Sequence, residues 1–133
     1  SRFDPDWDNW LMPTLGATNS ATTLISAVQG TTVTKTADYT MLSTDFQVLA
    51  DNSDGGAPST KTMTLPTAAT AGQIVIIVAV GGTDATHTIT VARGGSDTIN
   101  GSASSQVIST LYGRVTLVAD GGTNWTTLGG ISL

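Results

Sequence analysis

The chain has 133 residues, a formal net charge of −5 and a charged fraction of only 11%, with no cysteine and no glutamate. Its five cations are scattered, so the basic stripe that a nucleic-acid-binding protein needs is missing, and disulfides and thiolate chemistry are excluded. The length predicts one domain with a sizeable core. Few residues favour helices and many are threonine or valine, which predicts an all-β fold with a hydroxyl-rich surface.

The N-terminal stretch SRFDPDWDNWLMP combines two residue types that are scarce elsewhere. It holds three of the seven aromatic residues, Phe3, Trp7 and Trp10, and three of the ten acidic residues. Two prolines interrupt it and a polar stretch follows, so it has neither a helix nor a strand period. We predict an extended N-terminal arm with its spacer over residues 1–19, and a single β-domain over residues 20–133.

Short alternating or apolar runs, separated by turn signals, follow the spacer. We predict about eight strands in all, drawn from ten candidate runs. The candidate runs cover residues 22–28, 37–41, 46–50, 61–65, 73–80, 87–92, 98–99, 106–110, 114–119 and 124–128.

The run QIVIIVAV at 73–80 is apolar at successive positions, which predicts a central strand covered on both faces. Its apolar part is far shorter than the roughly 20 residues that span a bilayer, so no membrane association is expected. The stretch 67–72 predicts one helical turn, and the stretch 81–86 predicts a hairpin into the next strand. Together the elements predict a two-sheet β-sandwich or a jelly-roll-like barrel.

The residues that carry catalysis are nearly absent. His87 is the only histidine and lies in an alternating strand pattern, and no Gly-x-Ser-x-Gly nucleophile elbow is present. Most aspartates lie in turn signals, where the carboxylate hydrogen-bonds its own backbone. We therefore expect a protein that is not an enzyme, with no catalytic residue and no cofactor.

The best candidate for a metal site is the run Asp4, Asp6 and Asp8, which resembles the start of a calcium loop. The match then fails, because Asn9 stands where the loop needs glycine and Leu15 where it needs a bidentate acid. No metal site is therefore predicted. A calcium site completed by other segments stays open, and with it a calcium-dependent adhesion module as an alternative function.

Residues from about 39 to 128 carry an ordered series of motifs. The most specific are Leu65-Pro66 after an alternating strand, the segment TING at 98–101, and VADGGTNW at 118–125. In this order and spacing they resemble the small β-domain of tailed-bacteriophage virion proteins, including head fibres, head-decoration proteins and parts of tail fibres. Members of that family often carry lysine after the central apolar strand. Ala79 and Val80 continue the strand here, which predicts deeper burial at a subunit contact.

The resemblance implies a structural function. Such domains are typically homotrimers on the virion, made in the host cytoplasm without a signal peptide and released by lysis. We expect a capsid decoration or cement protein of the head-fibre type, on the capsid exterior, with the major capsid protein as partner. The alternative is a tail-fibre, spike or host-receptor-binding module. A host-binding module would expose an aromatic or polar sugar site on its loops. The loops here are mostly glycine, serine, threonine and aspartate, with only Trp125 near one, which disfavours carbohydrate binding.

The resemblance does not cover the arm, so its role is inferred from its residues alone. Tryptophan dominates interface hot spots because it buries a large rigid area at low entropic cost, and exposed tryptophans promote aggregation. The rings are expected to dock on the capsid, to pack on a trimer neighbour, or to fill the domain's own core. The flanking aspartates suit a basic rim on the partner. The predicted partner-binding residues are Phe3, Trp7, Trp10 and Leu11.

Overall fold

The structure is a computed structural model, and it describes residues 31–128. This part of the chain contains ten β-strands and one short 3-10 turn at Asp54–Gly56. The strands are β1 (Thr31–Lys35), β2 (Tyr39–Thr40), β3 (Asp45–Asp51), β4 (Lys61–Thr64), β5 (Ile74–Gly81), β6 (Ile89–Ala92), β7 (Thr98–Ile99), β8 (Gln106–Ile108), β9 (Arg114–Ala119) and β10 (Asn124–Thr127).

The strands form two sheets, which confirms the predicted all-β, two-sheet architecture. A six-stranded sheet has the order β1-β3-β5-β9-β10-β7, and a four-stranded sheet has the order β2-β4-β6-β8. Both sheets are mixed. In the large sheet β3 pairs with β1 and β5 in parallel, whereas β9 pairs with β5 and β10 antiparallel. In the small sheet β4 is parallel to β2 and β6, and β8 is antiparallel to β6.

One hydrophobic core joins the two sheets. Alternate residues of a strand point to opposite faces, and the inward residues of each sheet are aliphatic. The largest side chain among the fully buried ones is that of Trp125 on β10. The buried core residues are Met41, Val48, Ala50, Met63, Leu65, Ala68, Val75, Ile77, Ala79, Ile89, Val91, Ile99, Ile108, Val115, Leu117, Ala119 and Trp125.

Two local predictions are wrong. The predicted helical turn at 67–72 is a reverse turn instead, in which the Gln73 amide donates to the Thr70 carbonyl at 3.2 Å and Gly72 has a φ of +80°. The predicted hairpin at 81–86 does not form, because β5 and β6 belong to different sheets and the chain crosses between them.

The strand β1 was missed, because only one of its residues, Val33, packs against the core. A single apolar residue does not establish an alternating pattern. The strand predicted at 22–28, like the arm at 1–19, lies outside the described residues.

Candidate functional site: an aliphatic sheet face

The residues predicted to bind a partner, Phe3, Trp7, Trp10 and Leu11, all lie outside the described residues, as does the acidic run Asp4, Asp6 and Asp8. The surface of residues 31–128 nevertheless holds a second candidate, of which the sequence patterns pointed only to the apolar run at 73–80. It lies on the outer face of the six-stranded sheet.

Among the described residues, the central strand β5 is fully buried on its inner face and partly buried on its outer face. Val75, Ile77 and Ala79 point into the core and are fully buried. By strand alternation Ile74, Ile76, Val78 and Val80 point to the outer face. Ile74 is 39% exposed there. Among the described residues the predicted coverage is thus complete on the inner face and only partial on the outer face, where Val78 is buried and Ile76 and Val80 are half-buried.

Neighbouring strands extend this surface in register. Leu49 on β3 lies beside Val78, and Val118 on β9 lies opposite Ile74. After β10 the Leu128 amide donates to the Thr116 carbonyl at 2.8 Å, and its side chain is 38% exposed. We call this surface the aliphatic stripe, which comprises Leu49, Ile74, Ile76, Val78, Val80, Val118 and Leu128.

The outer face of the four-stranded sheet has a different composition. Its registered positions are mainly threonines, which present hydroxyl groups to water. Val107, which is 45% exposed, is the one large aliphatic residue at these positions. The outward residues are Thr40, Thr62, Thr64, Thr90, Ala92 and Val107. One sandwich therefore presents a hydroxyl-rich face and an aliphatic face on its opposite sides.

Charge is sparse on the aliphatic face. Arg114, an exposed residue, lies opposite Val78 in the β5–β9 ladder. Within residues 31–128 its guanidinium forms no ion pair. The other polar residues beside the stripe are uncharged: Gln47 and Thr116 lie next to Ile76, Thr34 lies beside Leu49, and Thr126 lies opposite Val118. The stripe is thus a nearly neutral surface.

A strained loop lies at one end of the stripe. Tyr112 has a φ of +62° and is 61% exposed, and its amide donates to the Ala79 carbonyl at 2.7 Å. Bulky residues rarely adopt a positive φ, because the side chain then crowds the backbone. Sequence reasoning missed this exposed aromatic. Its only signal was the tyrosine-glycine pair between two alternating strands.

Trp125, the one aromatic residue expected near a loop, is not available to a ligand. Its ring is fully buried, and its Nε1 donates to the Pro66 carbonyl at 3.1 Å. Ile99 pairs with it in the sheet, and the Asn100 amide donates to its carbonyl at 2.7 Å. The three motifs that carry the family resemblance therefore meet around one core residue and hold the fold together.

The pair His87 and Asp84 closes a turn. The Asp84 Oδ1 accepts the amides of Thr86 and His87, both at 2.8 Å, and lies 3.1 Å from the His87 Nδ1. The hydrogen bonds from His87 lower the pKa of Asp84. These contacts are those of a turn, as predicted for aspartates at such positions.

Three more turn aspartates have a lowered pKa for similar reasons. The backbone amides of Gly122 and Asn124 lower the pKa of Asp120. The side chain and backbone of Ser53 lower the pKa of Asp51. Lys61, at 2.8 Å, and then the Ser59 hydroxyl lower the pKa of Asp54.

Acid is therefore expected to destabilise the protein. Each of these four carboxyl groups has a pKa in the folded chain below the ordinary aspartate pKa of 3.8, so the unfolded chain takes up protons first as the pH falls. The contribution is fully present above 3.8 and is lost as the pH falls below it. Urea unfolding at neutral and acidic pH measures the loss, and Asp84→Asn should make it shallower. A free energy of unfolding that rises on acidification would contradict the expectation.

Residues 31–128 contain no group of three or more histidine, aspartate or glutamate side chains placed to hold a metal ion. Over the same residues no helix is long and apolar enough to cross a membrane. A scan against protein-family models found no family that matches the chain, and a search of curated proteins found no match. Function is therefore inferred from the surface and from the sequence motifs.

Proposed function

We propose that this chain is a non-enzymatic structural protein of a tailed-bacteriophage virion. It serves as a capsid decoration or cement protein of the head-fibre type, assembles as a homotrimer and docks on the major capsid protein through its N-terminal arm. The observation that carries the proposal is the aliphatic stripe on an otherwise hydroxyl-rich body. A contiguous apolar surface of this kind marks a subunit built to be covered by another protein.

The ordered motifs over residues 39–128 support the phage assignment. They meet around Trp125 as contacts that define the fold. The resemblance therefore rests on residues that hold the domain together, and it implies a structural function.

The arm makes the binding contacts with the capsid. Trp7 and Trp10 bury rigid aromatic area in the shell, with Phe3 and Leu11 beside them, while the neighbouring aspartates orient the arm on a basic rim. Several copies that bridge neighbouring capsomers tie these together against the pressure of packaged DNA. The particle thus gains stability from contacts alone, without a chemical step.

The test of docking uses virions assembled without this protein, to which purified protein is added back. Replacing both Trp7 and Trp10 by alanine should weaken binding by roughly a thousandfold, because each hot-spot residue contributes about 2 kcal/mol. Leu42→Ala, which removes an exposed apolar side chain from the body of the domain, is the matched control and should bind like the wild type. The bound fraction is measured by sedimentation with the particles. Equal binding of the double variant would refute docking through the arm.

A tail-fibre or host-receptor-binding module is the second candidate. The exposed Tyr112 on its strained loop favours it, since aromatic side chains on loops are common in recognition sites. The copy number of the chain per virion separates the two candidates. A decoration protein is present in many copies over the whole shell, whereas a tail component is present in few.

A further inference from the structure

We propose that the outer face of the six-stranded sheet, centred on the aliphatic stripe, is the surface on which a second copy of this chain packs. The inference rests on the self-association that is part of the proposed function. It goes beyond that function by naming the surface and the residues that would make the contact.

The first argument is the continuity of the stripe. Leu49 lies beside Val78, and Val118 lies opposite Ile74, so the apolar side chains are neighbours on adjacent strands. With strands about 4.8 Å apart and a rise of about 3.3 Å per residue, the six-stranded face measures very roughly 500 Å² in projection. Stable complexes bury about 800 Å² of accessible surface per partner, so the contact needs the rim of the face as well as its aliphatic centre.

The second argument is the contrast between the two outer faces. Both belong to the same sandwich, and both contain outward positions on central strands. Thr90 occupies such a position in the small sheet, and Ile76 occupies one in the large sheet. A sheet face in water usually carries polar residues, as the small sheet does. The outward aliphatic residues are therefore concentrated on the six-stranded sheet, with Val107 as the one large exception on the small sheet.

The third argument is charge, which favours a second copy over the N-terminal arm as the segment that covers the stripe. The stripe is neutral apart from the exposed Arg114 beside it, whose long side chain can keep its charge in water while its stem covers Val78. Two copies can therefore meet without strong repulsion. The chain's own first thirteen residues carry three aspartates, and laying them on the stripe would place three carboxylates over a surface with one cation. A second copy is the better match.

In the proposed homotrimer the outer faces of three copies can meet around the threefold axis, because a face-to-face pair would close as a dimer. Their aliphatic side chains can interdigitate there as those of the inner faces do inside the sandwich. Tyr112 and Leu111, both exposed, lie in the loop that ends the β5–β9 ladder and so border the same contact. A bordering aromatic side chain is typical of protein interfaces.

The test compares Ile76→Asp with Thr90→Asp in the full-length protein. Each variant places a carboxylate at a half-buried outward position on a central strand, one on each outer face. Light scattering after size-exclusion chromatography gives the mass. The wild type and T90D should form oligomers of the same mass, while I76D should associate at least about a hundredfold more weakly and elute as a monomer.

Ile76→Thr guards against a variant that fails to fold. It keeps a β-branched side chain and copies the composition of the opposite face. Circular dichroism should show native β-structure, and the oligomer should dissociate at higher protein concentration than the wild-type oligomer does. A monomeric wild type, or variants at Ile76 that retain the wild-type mass on dilution, would overturn the inference.

The outcome is separate from that of the docking experiment. If I76D is monomeric and still binds particles, the result is consistent with docking through the arm. A wild-type oligomer that does not bind the particles would refute the proposed function without contradicting the proposed association face.

Discussion

Replacing Trp125 by alanine is expected to destabilise the protein by about 3–5 kcal/mol, which is a large part of the 5–15 kcal/mol that stabilises a typical domain. The ring is fully buried in the core between the two sheets. Its removal leaves a cavity that the surrounding sheets cannot close. It also leaves the buried Pro66 carbonyl without the indole Nε1 that donates to it at 3.1 Å.

Trp125→Phe separates these two contributions. Phenylalanine fills most of the cavity but cannot donate to Pro66, so a loss of about 1–3 kcal/mol is expected. Urea unfolding followed by circular dichroism should rank the wild type first, then W125F, then W125A. If W125A unfolded at the same urea concentration as the wild type, Trp125 would not be the residue that joins the three motifs.

The predictability of the strands follows from burial. The runs at 98–99 and 114–119 were predicted with the bounds that the structure shows, and the second of these alternates cleanly because its inward residues are buried. The edge strand β1 has one core-facing residue, Val33, so its sequence shows no alternating hydrophobic pattern. Hydrophobic alternation indicates which side chains enter a core. An edge strand with only one such side chain cannot be recognised from this pattern.

The wrong predictions concern the path of the chain between sheets. The glycine-rich stretch at 81–86 has the composition of a hairpin turn, but it connects β5 to a strand of the other sheet. Turn residues indicate that the chain changes direction, and only the packing of the two sheets determines where it goes next. The stretch at 67–72 was predicted as helical from its end residues alone, although it is too short to form a stable helix.

The candidate surface was only partly readable for a related reason. The apolar run at 73–80 predicted a strand covered on two faces, and residues 31–128 cover the inner face fully and the outer face only in part, with Ile74 39% exposed. Hydrophobicity records that a face is to be buried and does not say by which chain. The arm residues Phe3, Trp7, Trp10 and Leu11 remain a prediction, tested by the docking experiment.

A second large effect is expected for Gly82→Ala, at about 2–5 kcal/mol from the strain of a positive φ and the displacement of neighbouring backbone. Gly82 has a φ of +64°, and a Cβ there would lie 2.6 Å from the Ser53 backbone. That backbone cannot yield easily. Asn52 is fully buried, and its side chain donates to the His87 carbonyl at 2.9 Å and accepts from the Thr83 hydroxyl at 3.1 Å.

Gly55→Ala is the matched control, because Gly55 has nearly the same φ, +66°, and a Cβ there would meet nothing within 4 Å. It should cost only about 1–2 kcal/mol, the strain of the positive φ alone. Thermal unfolding of the two variants against the wild type therefore isolates the contribution of the close approach between Gly82 and the Asn52–Ser53 backbone. Equal melting temperatures for G82A and G55A would show that the loop at 51–53 can move away, and that its buried hydrogen bonds do not hold this end of the sandwich.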